Sequence, residues 1–305
     1  MFFGKICFAF WSKMNTINNH FLSKYTSIKI GGKAAIYYKP KNLNDLIFFI
    51  KKNNPISKIN WLGLGSNLLV RDKGLSGILI HSVNNIKKCI LFNTIYIYGV
   101  KFSDIIYVQV GCTSSKLAKI SNNRSSEFHY GIPGTVGGAL NMNSGAFGFN
   151  TWRNVLALDL INIKGNIKHK NVNDFNFFYR KINNLKKNEW FIASYFKYNK
   201  TKVMRYDNKL LLNKRSINQP IGQKSCGSVF LNPKNFHVAK IIELCDLKGL
   251  VLGEAVISKK HSNFIINIKT ASSLDVERLI RIIYLTVLKK LNIKLKLEII
   301  ILGNK

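Results

Sequence analysis

YGIPGTVGGALNMNSGAFG, residues Tyr130 to Gly148, decides how this chain is read. It holds six glycines, one proline and two asparagines, and it has neither helical nor strand periodicity. A soluble domain buries so long an irregular segment only if its backbone N–H and C=O groups find partners. Glycines at Gly134, Gly137 and Gly138 let a backbone approach a ligand closely and aim N–H groups at it. Two readings follow: a long surface loop, or a loop wrapped round an anionic cofactor that supplies the missing acceptors. The apolar residues spread through the stretch favour the second.

Upstream, Ile59–Leu62 reads as a strand that enters the tight loop Gly63-Leu64-Gly65-Ser66-Asn67, and Leu68–Val70 as a strand that leaves it. Strand, G-x-G-S-N loop, strand is a phosphate cradle without the helix and third glycine of the usual dinucleotide fold. A hairpin turn explains the G-x-G equally well. Before it, Ala35–Tyr38 reads as a strand after the turn Gly31-Gly32, and 42–53 as a helix with Asn42 as cap. Ile78–His81, Ile95–Val100 and Ile105–Val110 read as strands, and 114–121 as a helix that feeds the glycine stretch. Val155–Ile163 and Ile167–His169 form a hairpin turning at Lys164-Gly165, and Phe175–Tyr179 and Phe191–Tyr198 close the sheet-rich region.

Composition shifts at 199–202, which marks a boundary. Beyond it lie a helix near Asp207–Ser216, a strand at Ser228–Leu231, a helix at Val238–Cys245 and a strand at Phe264–Asn267. A long helix over 273–291 follows, started by Ser272 with Asp275, with Leu274, Leu279, Ile282, Ile283, Val287 and Leu291 as its apolar face. Ile293–Leu302 reads as a final strand. Short strands with few helices indicate an α+β fold, not alternating βαβ units.

The 305 residues, 47% hydrophobic and 12% aromatic, describe a globular chain with room for more than one domain. The formal charge of +33 is spread along the whole sequence among abundant Asn, Ile, Phe and Tyr, and no nucleic-acid-binding signature accompanies it. It is read as drift of codon usage, so no nucleic-acid partner is expected. Five cysteines without C-x-x-C spacing argue against a metal site or a disulfide framework and for a reducing compartment, the cytoplasm. No apolar run reaches the roughly 18 residues of a membrane span. The first fourteen residues resemble a signal segment but lack a small-residue cleavage site, and residues 1–20 are read as an extension outside the fold.

Three polar residues sit in apolar or glycine-rich settings. Arg180, beside Tyr179 and after Phe175–Phe178, is either a cation–π surface contact or an anion clamp. Ser228, in SCGSVF, lacks the G-x-S-x-G elbow of a nucleophile, so its hydroxyl either donates a proton or closes a turn. Alternation puts Glu298 where a lysine-rich strand face turns apolar, either as a solvated partner of lysine or as a half-buried carboxylate in proton handling.

Taken in order, YTSIKIGG, LGLGSNLLV, the glycine stretch, Tyr179-Arg180, Gln219-Pro220, SCGSVFLNP, IIELCDLKG, GEAVISKKHSNFIIN and the Glu298 strand resemble the UDP-N-acetylenolpyruvoylglucosamine reductases, the MurB family. The resemblance runs from Tyr25 to Gly303, and the short interval between Ser228 and Glu298 is similar to the subclass without a substrate-covering loop. It implies a two-subdomain FAD-binding domain of the PCMH type over 21–200, split near 84, and an α+β substrate domain over 201–305. It implies FAD, NADPH as hydride donor, a UDP-sugar substrate, a monomer, and no metal. Arg180 would hold an enolate, Ser228 would protonate C2 and Glu298 would assist as acid. FAD would be held by Gly63, Leu64, Gly65, Ser66, Asn67, Gly131, Pro133, Gly134, Thr135, Gly137, Gly138, Ala139, Asn143 and Gly145. Tyr179, Arg215 and Asn232 would touch the substrate. An oxidase of another small molecule on the same fold is the alternative. The chain departs from the family at Ile182, Asn218, Ile300 and Phe147, which bears on the anion contacts.

Overall fold

The computed structural model describes residues 15–53, 58–97, 99–121, 124–197 and 208–305. The first fourteen residues and the composition change at 199–202 lie outside the described residues, but the rest of the segment read as an extension is part of the fold: Thr16–Phe21 is a strand beside Lys33–Tyr38. By its internal contacts the chain divides into two units. The first takes in Met1–Ile17, Tyr38–Gly63 and Leu79–Asn213, and the second Asn18–Tyr37, Leu64–Ile78 and Lys214–Lys305. Helices and short, mostly antiparallel strands give the α+β class.

In the first unit, β-branched and aromatic residues build a five-stranded antiparallel sheet ordered Ile167–Asn171, Val155–Asn162, Glu189–Lys197, Val100–Gln109, Cys89–Ile97. Leu158, Leu160, Ile192, Phe196, Ile106 and Val108 are buried on it, and the helices Ser114–Ser121 and Val136–Asn141 pack here through Leu117, Ala118, Val136, Ala139 and Leu140. The sequence places short strands at Ile95–Val100 and Ile105–Val110. Instead a long hairpin runs Cys89–Ile97 and back along Val100–Gln109, because Gly99 takes φ +74° at the turn.

The second unit closes round one core of Ile28, Ile30, Leu69, Val229, Phe230, Ile265 and the inner face of helix Ser273–Leu291. Its antiparallel sheet runs Ser225–Ser228, Phe264–Asn267, Ala255–Ile257, Val251–Leu252. The helix starts with the capping box expected from Ser272 and Asp275 and ends on Asn292 in the left-handed region, φ +52°. Its buried face, however, carries Val276, Leu279, Ile280, Ile283 and Val287, while Leu274 is 52% exposed. Helical spacing allowed either set, and packing decided.

The last stretch corrects the alternation argument. Only Ile300–Leu302 is a strand, parallel to Leu68–Val70, and before it Leu297 makes an isolated bridge to Phe230. Leu295 and Ile299 are buried but Leu297 is 42% exposed, so one face does not carry all the odd-numbered residues. The reason is an irregular pairing: the amides of both Glu298 and Ile299 reach the carbonyl of Val229, at 2.8 and 3.4 Å.

Candidate functional site

The glycine stretch is not irregular throughout. Thr135 caps a short helix, Val136–Asn141, its Oγ1 accepting the Gly138 N–H at 3.3 Å. The Val136 amide donates to Cys112 O at 2.8 Å and the Gly137 amide to Val110 O at 2.9 Å. A Cβ on Gly137 would lie 2.9 Å from Val110 Cβ, so this glycine exists for close packing of the helix on the turn that ends the strand Val100–Gln109. The expectation that Gly137 and Gly138 aim free amides at a ligand is therefore corrected: both amides bond within the chain. Ala139 is likewise a helix residue, its amide on Thr135 O and its carbonyl accepting from Ser144.

The free amides lie just before that helix. Among the described residues nothing accepts the N–H of Gly134, Thr135 or Gly63. These three sit together, since a Cβ on Gly63 would stand 2.6 Å from Thr135 Oγ1. Gly131 closes a 3-10 helix over Arg124–Gly131, and Pro133 follows it after Ile132.

Arg180 belongs to the same unit. It occupies the tip of the hairpin Asn176–Phe178/Lys181–Asn183 at φ +55°, a conformation that costs a non-glycine residue about 1–2 kcal/mol. Its Nη1 donates to Asn143 O at 3.3 Å and its Nη2 to Gly145 O at 3.1 Å, with the guanidinium 5.1 Å from the Tyr179 ring. Asn143, buried and at φ +39°, returns a bond from Nδ2 to Phe178 O at 2.8 Å. Of the two sequence readings of Arg180, the structure shows the cation–π contact; its guanidinium is otherwise held by two backbone carbonyls at the far end of the glycine stretch. Gly145 is small because a Cβ would meet Phe149 O at 2.4 Å.

Sequence reasoning missed Trp152. Buried, it donates from Nε1 to Leu140 O at 2.8 Å and packs against Phe175, Phe177 and Phe191 at 5.2, 5.7 and 5.8 Å. The aromatics before Arg180 thus brace the glycine stretch. A tryptophan shortly after that stretch, with a run of phenylalanines further on, was the available signal.

In the second unit Gly65 takes φ +64°, and a Cβ there would meet Tyr25 O at 2.2 Å. Its carbonyl accepts the Ser27 amide at 3.1 Å, so YTSIKIGG and the Leu64–Asn67 loop are one packed structure. Nothing among the described residues accepts the N–H of Leu64, Gly65 or Ser66. Asn67 Nδ2 donates to Glu298 O at 3.1 Å. Ser228 ends its strand opposite Phe264, after Gly227 at φ +81°. The next residue, Val229, accepts the Glu298 amide at 2.8 Å, which brings Ser228 and half-buried Glu298 onto adjoining backbone. Asn232 Oδ1 accepts the Val238 amide at 3.0 Å. Arg215 bonds Gln219 Oε1 through Nη2 at 2.8 Å, and burial lowers its pKa. Tyr179 is 54% exposed. Among the described residues no helix is long and apolar enough to cross a membrane, and no group of His, Cys, Asp or Glu could hold a metal ion.

Comparison with known proteins covers both units. Residues 34–170 match the FAD binding domain family, and 219–302 match the UDP-N-acetylenolpyruvoylglucosamine reductase, C-terminal domain. UDP-N-acetylenolpyruvoylglucosamine reductase of Coxiella burnetii (strain Dugway 5J108-111) is 40% identical over 300 residues, covering 93% of this chain and 95% of the relative. That of Legionella pneumophila (strain Paris) is 38% identical over 293 residues, covering 94% and 93%. The crystal structure of the enzyme from Thermus caldophilus superposes with a TM-score of 0.70 at 25% identity, over 94% of this chain and 98% of that one.

Proposed function

The chain belongs to the UDP-N-acetylenolpyruvoylglucosamine reductase family, and from that premise we propose how its own residues divide the work. It is an FAD-dependent oxidoreductase of peptidoglycan precursor synthesis that reduces UDP-N-acetylglucosamine enolpyruvate to UDP-N-acetylmuramate with NADPH. The residues present fit the cofactor: the amides of Gly63, Gly134 and Thr135, which have no acceptor among the described residues, suit pyrophosphate oxygens. Leu64, Gly65, Ser66, Asn67, Gly131, Pro133, Asn143 and Gly145 are the other expected contacts, whereas the amides of Gly137, Gly138 and Ala139 are taken up within the chain. Bound FAD supplies the hydride, taken from NADPH and delivered to C3 of the enolpyruvyl group.

The remaining chemistry falls to side chains. As C3 gains hydride, charge develops at C2 and on the adjoining carboxylate. Arg180 meets it with a guanidinium already oriented by two carbonyl groups, so little reorganisation is needed. Ser228 donates the proton to C2, and Glu298 assists as an acid. The observation that carries this assignment is the 2.8 Å bond from Glu298 N–H to Val229 O, which supports Ser228 and Glu298 acting as a pair. Tyr179, Arg215 and Asn232 would contact the substrate. The domains that go with this reading are an FAD-binding region over 21–200 and a substrate domain over 201–305, in a cytoplasmic monomer without nucleic-acid partners.

Stopped-flow absorbance of Ser228→Ala tests the proton-donor role. NADPH should bleach the flavin at the wild-type rate, and substrate should fail to restore its colour. Wild-type turnover in that variant would remove Ser228 from the mechanism.

A further inference from the structure

Two cysteines that the reaction does not use lie together in the first unit. Cys89 opens the edge strand Cys89–Ile97 opposite Val108, and one step further the Gln109 amide donates to Lys88 O at 2.9 Å. The chain then turns back. Gly111 donates to Ile86 O at 2.8 Å and Cys112 to Gln109 O at 3.0 Å, which folds the turn 109–112 against residues 86–89. Neither cysteine is in a disulfide, Cys112 is buried, and Cys89 is partly exposed. The backbone bonds thus set the two cysteines on chain segments folded against each other. Each thiol is the other's leading electrostatic neighbour: Cys89, with the Lys116 ammonium, lowers the Cys112 thiol pKa, and Cys112 raises that of Cys89.

We propose that Cys89 and Cys112 are a redox pair, reduced at rest, that a small-molecule disulfide such as glutathione disulfide closes into an intramolecular disulfide. Partial exposure makes Cys89 the entry point. As its sulfur attacks one glutathione sulfur, the Cys89 proton is lost to solvent and glutathione leaves as thiolate. The Cys112 thiol then gives up its proton, attacks the Cys89 sulfur of the mixed disulfide and releases the second glutathione. Two protein thiols are oxidised and one glutathione disulfide is reduced to two thiols. The link would tie an edge strand to the residue whose carbonyl receives the Val136 amide, at the start of the helix in the glycine stretch.

The test is a peptide map of the full-length, FAD-loaded protein after incubation with glutathione disulfide and alkylation of the remaining thiols. The expected product joins the Cys89 and Cys112 peptides with the loss of two hydrogens, and its melting temperature exceeds that of the reduced protein. Cys112→Ala should stop at a glutathione adduct on Cys89, and Cys89→Ser should give no cross-link. The proposal is overturned if the wild-type protein keeps both thiols, carries only glutathione adducts, or pairs Cys89 with another cysteine. The wild-type map decides alone if either variant does not fold.

Discussion

Gly63 and Thr135 stand so close that a Cβ on the first would lie 2.6 Å from Oγ1 of the second. The same oxygen caps the helix of the glycine stretch through the Gly138 amide, so crowding at Gly63 displaces the cap as well. Gly63→Ala should cost about 1–3 kcal/mol, as overpacking does, and should weaken FAD binding at least tenfold. Gly148→Ala is the control: it has φ +81° but nothing within 4 Å. It should lose only about 1–2 kcal/mol for backbone strain and keep its FAD. Melting curves and flavin titration of both variants check this.

Arg180 keeps a strained backbone and two carbonyl bonds that a lysine cannot reproduce, since lysine lacks the planar fork. Arg180→Lys should therefore lower kcat by about 10²–10³, the loss typical of removing one charge-stabilising donor. FAD affinity should not change. Steady-state kinetics beside a flavin titration separates the two, and equal loss of both would assign Arg180 to cofactor binding instead.

Two buried groups tilt stability with pH in opposite directions. His129 is fully buried against Phe128, its Nδ1 unpartnered, and burial lowers its pKa to about 3. The unfolded chain, with a histidine pKa near 6.5, then binds more protons, so this stability is whole above about pH 6.5 and falls as pH drops, by about 2 kcal/mol at pH 5. Asp159 is held at about 6 by burial, partly offset by the Tyr195 hydroxyl that donates to it. Its folded form binds the extra proton, so its contribution declines as pH rises from about 4 to 6. Denaturant midpoints across pH 4–7 should therefore show a shallower acid loss in His129→Phe and a steeper one in Asp159→Asn.

The long helix offers a test of its anchoring. Ser272 Oγ accepts the Asp275 amide at 3.1 Å, and Arg71 holds Glu277 through Nε and Nη2 at 2.7 and 2.9 Å. Ser272→Ala should cost about 1 kcal/mol, and Glu277→Gln about 0.5–1 kcal/mol because the pair is partly solvated. Urea denaturation measures both.

Much of this was legible in the sequence because the signals are local. Ser272 and Asp275 announce a helix start within four residues, and the order of blocks from YTSIKIGG to the Glu298 strand announces the fold. What was not legible depends on distant partners. Gly137 is a glycine because of Val110, and no local rule distinguishes that from a glycine facing a ligand. The helix Val136–Asn141 forms despite its two glycines, since Thr135 caps it and the sheet receives it. The exposure of Leu297 follows from irregular pairing with residues 229–231, which alternation alone cannot report. Trp152 escaped notice because its role is to fasten the loop, not to touch a ligand.

One anaerobic experiment bears on the whole account most directly. Purified protein is bleached with one equivalent of NADPH, and UDP-N-acetylglucosamine enolpyruvate is then added without oxygen. The yellow absorbance should return as UDP-N-acetylmuramate forms in equal amount. A flavin that stays bleached until air is admitted, or a protein that carries no flavin, would contradict it.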